Sequence, residues 1–87
     1  MGDYRITFAR SARKELEQLD GPLVNRIFPK IEALALEPRP RGCRKLRGEQ
    51  SLWRIRVGDY RIVYSVDDAT RLVDIIAVQH RSSVYDN

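Results

Sequence analysis

The sequence contains one cysteine and one histidine, and each scarcity removes a class of chemistry. Cys43 has no partner for an internal disulfide, so nothing in the chain calls for an oxidising compartment. It also lies in a Pro/Gly loop with no base beside it, which disfavours a thiol nucleophile. His80 has no second histidine to share a metal with, and Asp67 and Asp68 form a turn without further ligands at coordinating spacing, so no metal site and no cofactor are expected. No apolar run approaches the ~18 residues that span a bilayer, and MGDYRITFAR lacks the apolar core of a signal peptide. A cytoplasmic protein without membrane contact is predicted. Met1-Gly2 is not a myristoylation start, because Ile6 stands where Ser or Thr is needed. Ser82 and Ser83 next to His80 have no nucleophile elbow or oxyanion loop to support hydrolase chemistry.

What the chain does have is a globular composition: 87 residues, 43% hydrophobic and 32% charged. That balance predicts a single folded domain over residues 1–87 rather than disorder. At this length folding removes only roughly 60–65% of the unfolded surface from water, so the core is small. The net charge of +4 is unevenly placed. Residues 1–38 carry six cations and six acids, and residues 62–87 carry two cations against four acids. Residues 39–61 carry eight (Arg39, Arg41, Arg44, Lys45, Arg47, Arg54, Arg56, Arg61) against Glu49 and Asp59, leaving +6 in that block alone. Such a block is either a solvated cationic surface or the electrostatic footprint of a polyanion site.

Hydrophobic periodicity sets the elements. Residues 4–8, YRITF, alternate as a short strand, and Ser11 is placed to cap a helix whose apolar stripe is Ala12, Leu16 and Leu19. Asp20-Gly21-Pro22 ends that helix and starts a second, with Leu23, Ile27, Ile31, Leu34 and Ala35 on its inner face. Pro29 lies inside the second helix, where a proline costs about 3 kcal/mol, so a kink or break near residues 25–29 is expected. The loop PRPRGC is followed by four strand patterns, CRKLRG, LWRIRV, YRIVYSV and RLVDIIAVQH. The order is βααββββ: an α+β fold in which an antiparallel sheet with an N-terminal strand carries a helical hairpin on one face. Phe8, Phe28, Trp53, Tyr60 and Tyr64 fall on expected core positions.

The hairpin WRIRVGDYRIVY has a two-residue turn at Gly58-Asp59. If Val57 faces Tyr60, then Arg56 faces Arg61, Ile55 faces Ile62, Arg54 faces Val63 and Trp53 faces Tyr64. Alternation then puts Trp53, Ile55, Val57, Tyr60, Ile62 and Tyr64 on one side and Arg54, Arg56 and Arg61 on the other. Like charges directly opposite are destabilising. Either the arginine stems cover the sheet with solvated heads, or an anion sits among them. The planar fork of arginine matches phosphate, which favours a phosphodiester ligand.

Together KLRG (45–48), WRIRVGDYRIVYSV (53–66) and HRSSVY (80–85) resemble the RelE/ParE toxin superfamily of bacterial and archaeal toxin–antitoxin systems, on the RelE side. The SARKELEQL helix and the element order fit as well, so the resemblance spans nearly the whole chain. It implies a ribosome-dependent endoribonuclease, an mRNA interferase that cuts mRNA in the A site of the 70S ribosome without a metal. The 2′-hydroxyl attacks the adjacent phosphate, leaving a 2′,3′-cyclic phosphate and a 5′-hydroxyl. By the same resemblance Arg61 is the catalytic arginine, Arg81 the general acid or leaving-group stabiliser, and Tyr85 the tyrosine that stacks on the substrate base. Arg54 and Arg56 stand where well-known members have lysines. An arginine stays protonated, so these two clamp phosphate and the general base lies elsewhere.

His80 is one candidate for that base, although strand alternation sends it and Arg81 to opposite faces. Lys45 and Arg47 extend the basic track along RNA, with surface solubility as the plain alternative. The resemblance further implies a toxin that is monomeric alone and forms a larger complex with a cognate, RelB-like antitoxin. Two other functions stay open within the superfamily: a ParE-like inhibitor of DNA gyrase that cuts nothing, and a catalytically degenerate relative that only binds an antitoxin.

Overall fold

The computed structural model of the chain describes residues 3–46 and 52–82. The elements run β1 (Arg5–Phe8), α1 (Arg10–Glu17), α2 (Gly21–Ala33), β2 (Arg44–Lys45), β3 (Leu52–Val57), β4 (Tyr60–Asp67) and β5 (Leu72–His80). The five strands form one sheet in the order β1-β5-β4-β3-β2. The sheet is antiparallel except at one edge, where β1 joins β5 in parallel, Arg5 opposite Leu72 through Phe8 opposite Ile75. No helix among the described residues is long and apolar enough to cross a membrane.

Both helices cover the same face of the sheet, α1 over β5 and α2 over β3. Ala12 from α1, Ile27 and Ile31 from α2, and Leu34 just beyond it pack on Ile55, Ile62, Tyr64, Val66, Val73, Ile75 and Val78. Ile31, Ile62 and Ile75 are completely buried; each such side chain contributes about 1.5–3 kcal/mol relative to exposure. Tyr64 is the largest fully buried side chain, and its hydroxyl donates to the Pro38 carbonyl at 2.7 Å. That bond ties the 38–43 loop to the sheet and satisfies a phenol that could not otherwise be buried without cost. Burial, then the Cys43 thiol beside it, pushes the Tyr64 hydroxyl far above its ordinary pKa, so it stays a donor.

Local details depart from the sequence expectation for identifiable reasons. Ser11 does not cap α1: the N-cap is Ala9, without a side-chain bond, and Ser11 Oγ instead donates to the Ile76 carbonyl at 2.9 Å. Asp20 does cap α2, accepting from the Leu23 N–H at 3.1 Å. Pro29 does not break α2, which continues through it to Ala33. Asn25 and Pro29 are both exposed, so water can take the carbonyl that proline leaves without a donor. Phe28 is 37% exposed rather than in the core, and it stacks flat on Phe8 with ring centroids 6.0 Å apart.

Away from the hairpin arginines, Asp68 holds the loop edge together. Arg39 donates to its two oxygens at 3.2 and 2.9 Å and Tyr4 Oη donates at 2.6 Å. The Arg39 guanidinium also lies 5.2 Å from the centre of the Trp53 ring.

Candidate active site

The β3–β4 hairpin supplies the site. Its register is the one alternation predicts, with Val57 opposite Tyr60, Arg56 opposite Arg61, Ile55 opposite Ile62 and Arg54 opposite Val63. Gly58 has φ +60° and Asp59 does not have positive φ, which is a type II′ turn with glycine at the position that requires it. That turn matches the strand twist and fixes the register, and the register puts Arg54, Arg56 and Arg61 on the face away from the helices. Val63, on the same face, is 5% exposed although it lies outside the main core.

Arg81 joins them from the end of β5. Its N–H donates to the Asp59 carbonyl at 2.8 Å, so its backbone hangs from the hairpin tip. Its Nη1 lies 3.9 Å from Asp59 Oδ1, with each side chain 67% exposed, a pairing worth ~0–1 kcal/mol that leaves the guanidinium free to turn. Arg61 is half-buried, and its Nε donates to Gln79 Oε1 at 3.4 Å. Arg54, Arg56, Gly58, Asp59, Tyr60, Arg61 and Arg81 line a cleft of about 150 Å³. Among the described residues, the lining of this cleft includes four guanidinium groups and one carboxylate, Asp59. Arg56 and Arg61 directly opposite each other cost roughly 0.2–1 kcal/mol in an unliganded sheet.

Two other expected site residues lie on the opposite face. Lys45 pairs with Trp53 in the β2–β3 register, and its Nζ lies 6.0 Å from the Trp53 ring centre on the helix side. His80 is turned to that side by a β-bulge. Val63 faces Ala77 but Tyr64 faces Ile75, so Ile76 is an extra residue on β5 that reverses alternation beyond it. Two side chains of α1 take up ladder groups at the bulge: Ser11 donates to the Ile76 carbonyl, and Glu15 Oε1 accepts from the Val78 N–H at 2.7 Å.

His80 therefore pairs with Tyr60, its ring edge-on at 5.1 Å. Its Nδ1 lies 2.8 Å from Ser82 Oγ and 3.2 Å from the Ser82 backbone nitrogen. With Leu23, Arg26, Ile27, Val57, Gly58, Asp59 and Tyr60 it lines a second groove, of about 240 Å³, on the far side of the hairpin tip. Arg47 and Tyr85 lie outside the described residues.

The sheet adds two residues that spacing did not reveal. Gln79 is aligned with Arg61 because the bulge shifts it onto the arginine face. Arg44 is directly opposite Arg54, on the two-residue edge strand β2. Residue periodicity does not find it, since β2 is only two residues long.

Chemically, the cleft is lined mostly by cations. Guanidinium groups converging from β3, β4 and the end of β5 suit an anion whose charge grows on reaction, which a phosphodiester under attack provides.

The chain is similar to known proteins in sequence and in fold. The family described as the ParE toxin of the type II toxin–antitoxin system, parDE, matches residues 6–85. Toxin RelE3 of Methanocaldococcus jannaschii is 33% identical over 86 residues, covering 94% of this chain and 96% of that protein. Among solved structures, the archaeal RelE–RelB complex from Pyrococcus horikoshii superposes with a TM-score of 0.80 at 31% identity, covering 93% of this chain and 97% of the other. The toxin–antitoxin complex RelBE2 from Mycobacterium tuberculosis does so with a TM-score of 0.82 at 31% identity, covering 94% and 95%.

Proposed function

The chain belongs to the ParE toxin family of type II toxin–antitoxin systems and is RelE-like within it, and from that premise we propose that it is an endoribonuclease acting on mRNA in the ribosomal A site. The observation that supports this reading most directly is the convergence of Arg54, Arg56, Arg61 and Arg81 on one cleft.

In this mechanism the 2′-oxygen attacks the neighbouring phosphorus, the bond to the 5′-oxygen breaks, and a 2′,3′-cyclic phosphate and a 5′-hydroxyl result. Charge builds on the non-bridging oxygens as the phosphorane forms. Arg61 is nearest the middle of the cation set, flanked by Arg56 and held through Nε by Gln79, and it meets that charge. Arg54 and Arg56 clamp the phosphate. Arg81, loosely held by Asp59, swings to the departing 5′-oxygen. Because Arg54, Arg56 and Arg61 line the cleft before reaction, they stabilise the transition state with little reorganisation, and only Arg81 has to move. An arginine cannot accept the 2′-hydroxyl proton. His80 faces the other side of the sheet, so water in the A site takes it. Water also supplies the proton that makes the departing 5′-oxygen a hydroxyl, while Arg81 stabilises its charge. Tyr85 stacks on the substrate base and Arg47 extends the basic track along the RNA, while Lys45, on the helix side of the sheet, contacts the ribosome away from the cleft.

The partner is a RelB-like antitoxin, as in the related RelE–RelB complexes. Its cognate segment covers the cationic cleft or removes a residue from it.

A reconstituted translation reaction with a defined mRNA tests the activity. Cuts within the A-site codon, lost in Arg61→Ala, support the proposal. Intact mRNA together with loss of gyrase supercoiling in a parallel assay overturns it in favour of a gyrase inhibitor.

A further inference from the structure

A regular β5 would carry Gln79 on the helix side of the sheet. Val73 and Ile75 belong to the core, and strict alternation from them would send Ala77 and Gln79 inward as well. The extra residue, Ile76, reverses that order, so Val78 takes the core position at 4% exposure and Gln79 emerges beside Arg61. Two features hold the irregularity in place. Burial of Val78 favours it, and α1 supplies side-chain partners for the ladder groups there, Ser11 for the Ile76 carbonyl and Glu15 for the Val78 N–H.

Arg61 is thereby set between Arg56 on β3 and Gln79 on β5. Its Nε–H donates to Gln79 Oε1 at 3.4 Å, between two half-buried residues. A guanidinium is a rigid plane, and an acceptor on Nε occupies the side edge of its fork, so that a phosphate meets the end edge, Nη1 and Nη2. The acceptor is also neutral, whereas a carboxylate in its place would cancel the charge. Arg81 is held differently, by an exposed carboxylate 3.9 Å away that lets it turn. We propose that Gln79 is a positioning residue for cleavage, which fixes the Arg61 guanidinium so that Nη1 and Nη2 meet the non-bridging oxygens of the scissile phosphate. This rests on the endoribonuclease reading above. Gln79 itself touches neither the substrate nor the reacting atoms. The attraction that draws RNA to the cleft depends on charge and little on orientation, whereas hydrogen bonds to the growing phosphorane depend on both. Loss of Gln79 therefore falls on the bond-breaking step.

The test is single-turnover cutting of a defined mRNA on paused ribosomes, with the full chain varied through saturation. Gln79→Met keeps the side-chain length and offers Nε no oxygen; Gln79→Ala is the second variant, and circular dichroism checks that both are folded. In each, the rate at saturation is expected to fall about fivefold to tenfold while the half-saturating concentration stays unchanged. In an Arg61→Ala background the same substitutions change the rate by less than about twofold, because the residue they act through is gone. Gln79→Glu, which keeps the oxygen and adds a charge that cancels that of Arg61, raises the half-saturating concentration at low salt. An unchanged rate in Gln79→Met and Gln79→Ala, a rise in their half-saturating concentration alone, or an equal loss with Arg61 present and absent overturns the positioning role while leaving the nuclease reading standing. A wild-type protein that leaves mRNA intact on the ribosome removes both.

Discussion

Replacing Arg56 by glutamine should make the protein more stable while making it less active. Val57 and Tyr60 close the II′ turn, so Arg56 and Arg61 are the next pair outward. Strand alternation makes that a non-hydrogen-bonded pair with Cα atoms about 4.5 Å apart. Two unit charges held ~7 Å apart in water repel by roughly 0.6 kcal/mol. Exposed side chains relieve part of this by spreading, and Arg56 is exposed. Arg56→Gln keeps the stem and removes the charge, so a gain of about 0.2–0.5 kcal/mol is expected at low salt. For a chain of this length that raises Tm by about 1–4 °C. Thermal unfolding followed by circular dichroism at 20 mM and at 1 M salt measures it. The gain should vanish in the high salt, where the screening length is only ~3 Å. Cleavage by the same variant should fall, by up to about 10²-fold if Arg56 carries its share of the phosphorane charge. A lower Tm at low salt, or a gain that survives 1 M salt, refutes the claim that this pair stores repulsion.

Other parts of the structure make separate demands. Tyr64→Phe removes the donor to the Pro38 carbonyl and should destabilise by about 1–2 kcal/mol in urea unfolding, with the midpoint moving and the slope unchanged. Gly58→Ala forces a side chain into φ +60° and brings Cβ within 3.1 Å of Arg26 Nη2. The arginine tip can move, so the backbone dominates, at about 1–2 kcal/mol by the same denaturation experiment. Asp68 is held below the usual carboxylate range by the Arg39 guanidinium first and the Tyr4 hydroxyl second. A depressed folded pKa gives stability that is present above the unfolded value, near 3.9, and is lost as pH falls through the folded one. Asp68→Asn should therefore flatten the stability profile below about pH 4, a small effect at this exposed site.

The hairpin register was legible because a two-residue turn and alternating residues leave one pairing that separates Ile55, Ile62 and Tyr64 from the arginines. The same alternation, carried along β5, fails at Ile76, because a bulge has no signature in the residue pattern RLVDIIAVQH. That single inserted residue decides that Gln79, rather than His80, reaches the arginine face. The pairing of Arg44 with Arg54 was hidden for a different reason: β2 is only two residues long, too short for its periodicity to be read. The helix stripe of Ile27 and Ile31 was visible, yet Phe28 beside them is largely a surface residue that stacks on Phe8. Pro29 lies at an exposed position of a helix that continues through it, where solvent can reach the carbonyl it leaves without a donor.

In the proposed reaction, converging guanidinium groups break an RNA phosphodiester. Its most direct measurement is the chemistry of the ends formed when the protein is added to ribosomes paused on a defined mRNA. The account predicts a 2′,3′-cyclic phosphate and a 5′-hydroxyl at a bond within the A-site codon, formed by the wild type and reduced about 10²-fold or more in Arg61→Ala and in Arg81→Ala, with both variants still folded. Ends bearing a 5′-phosphate, or unaltered cutting by both variants, would contradict it.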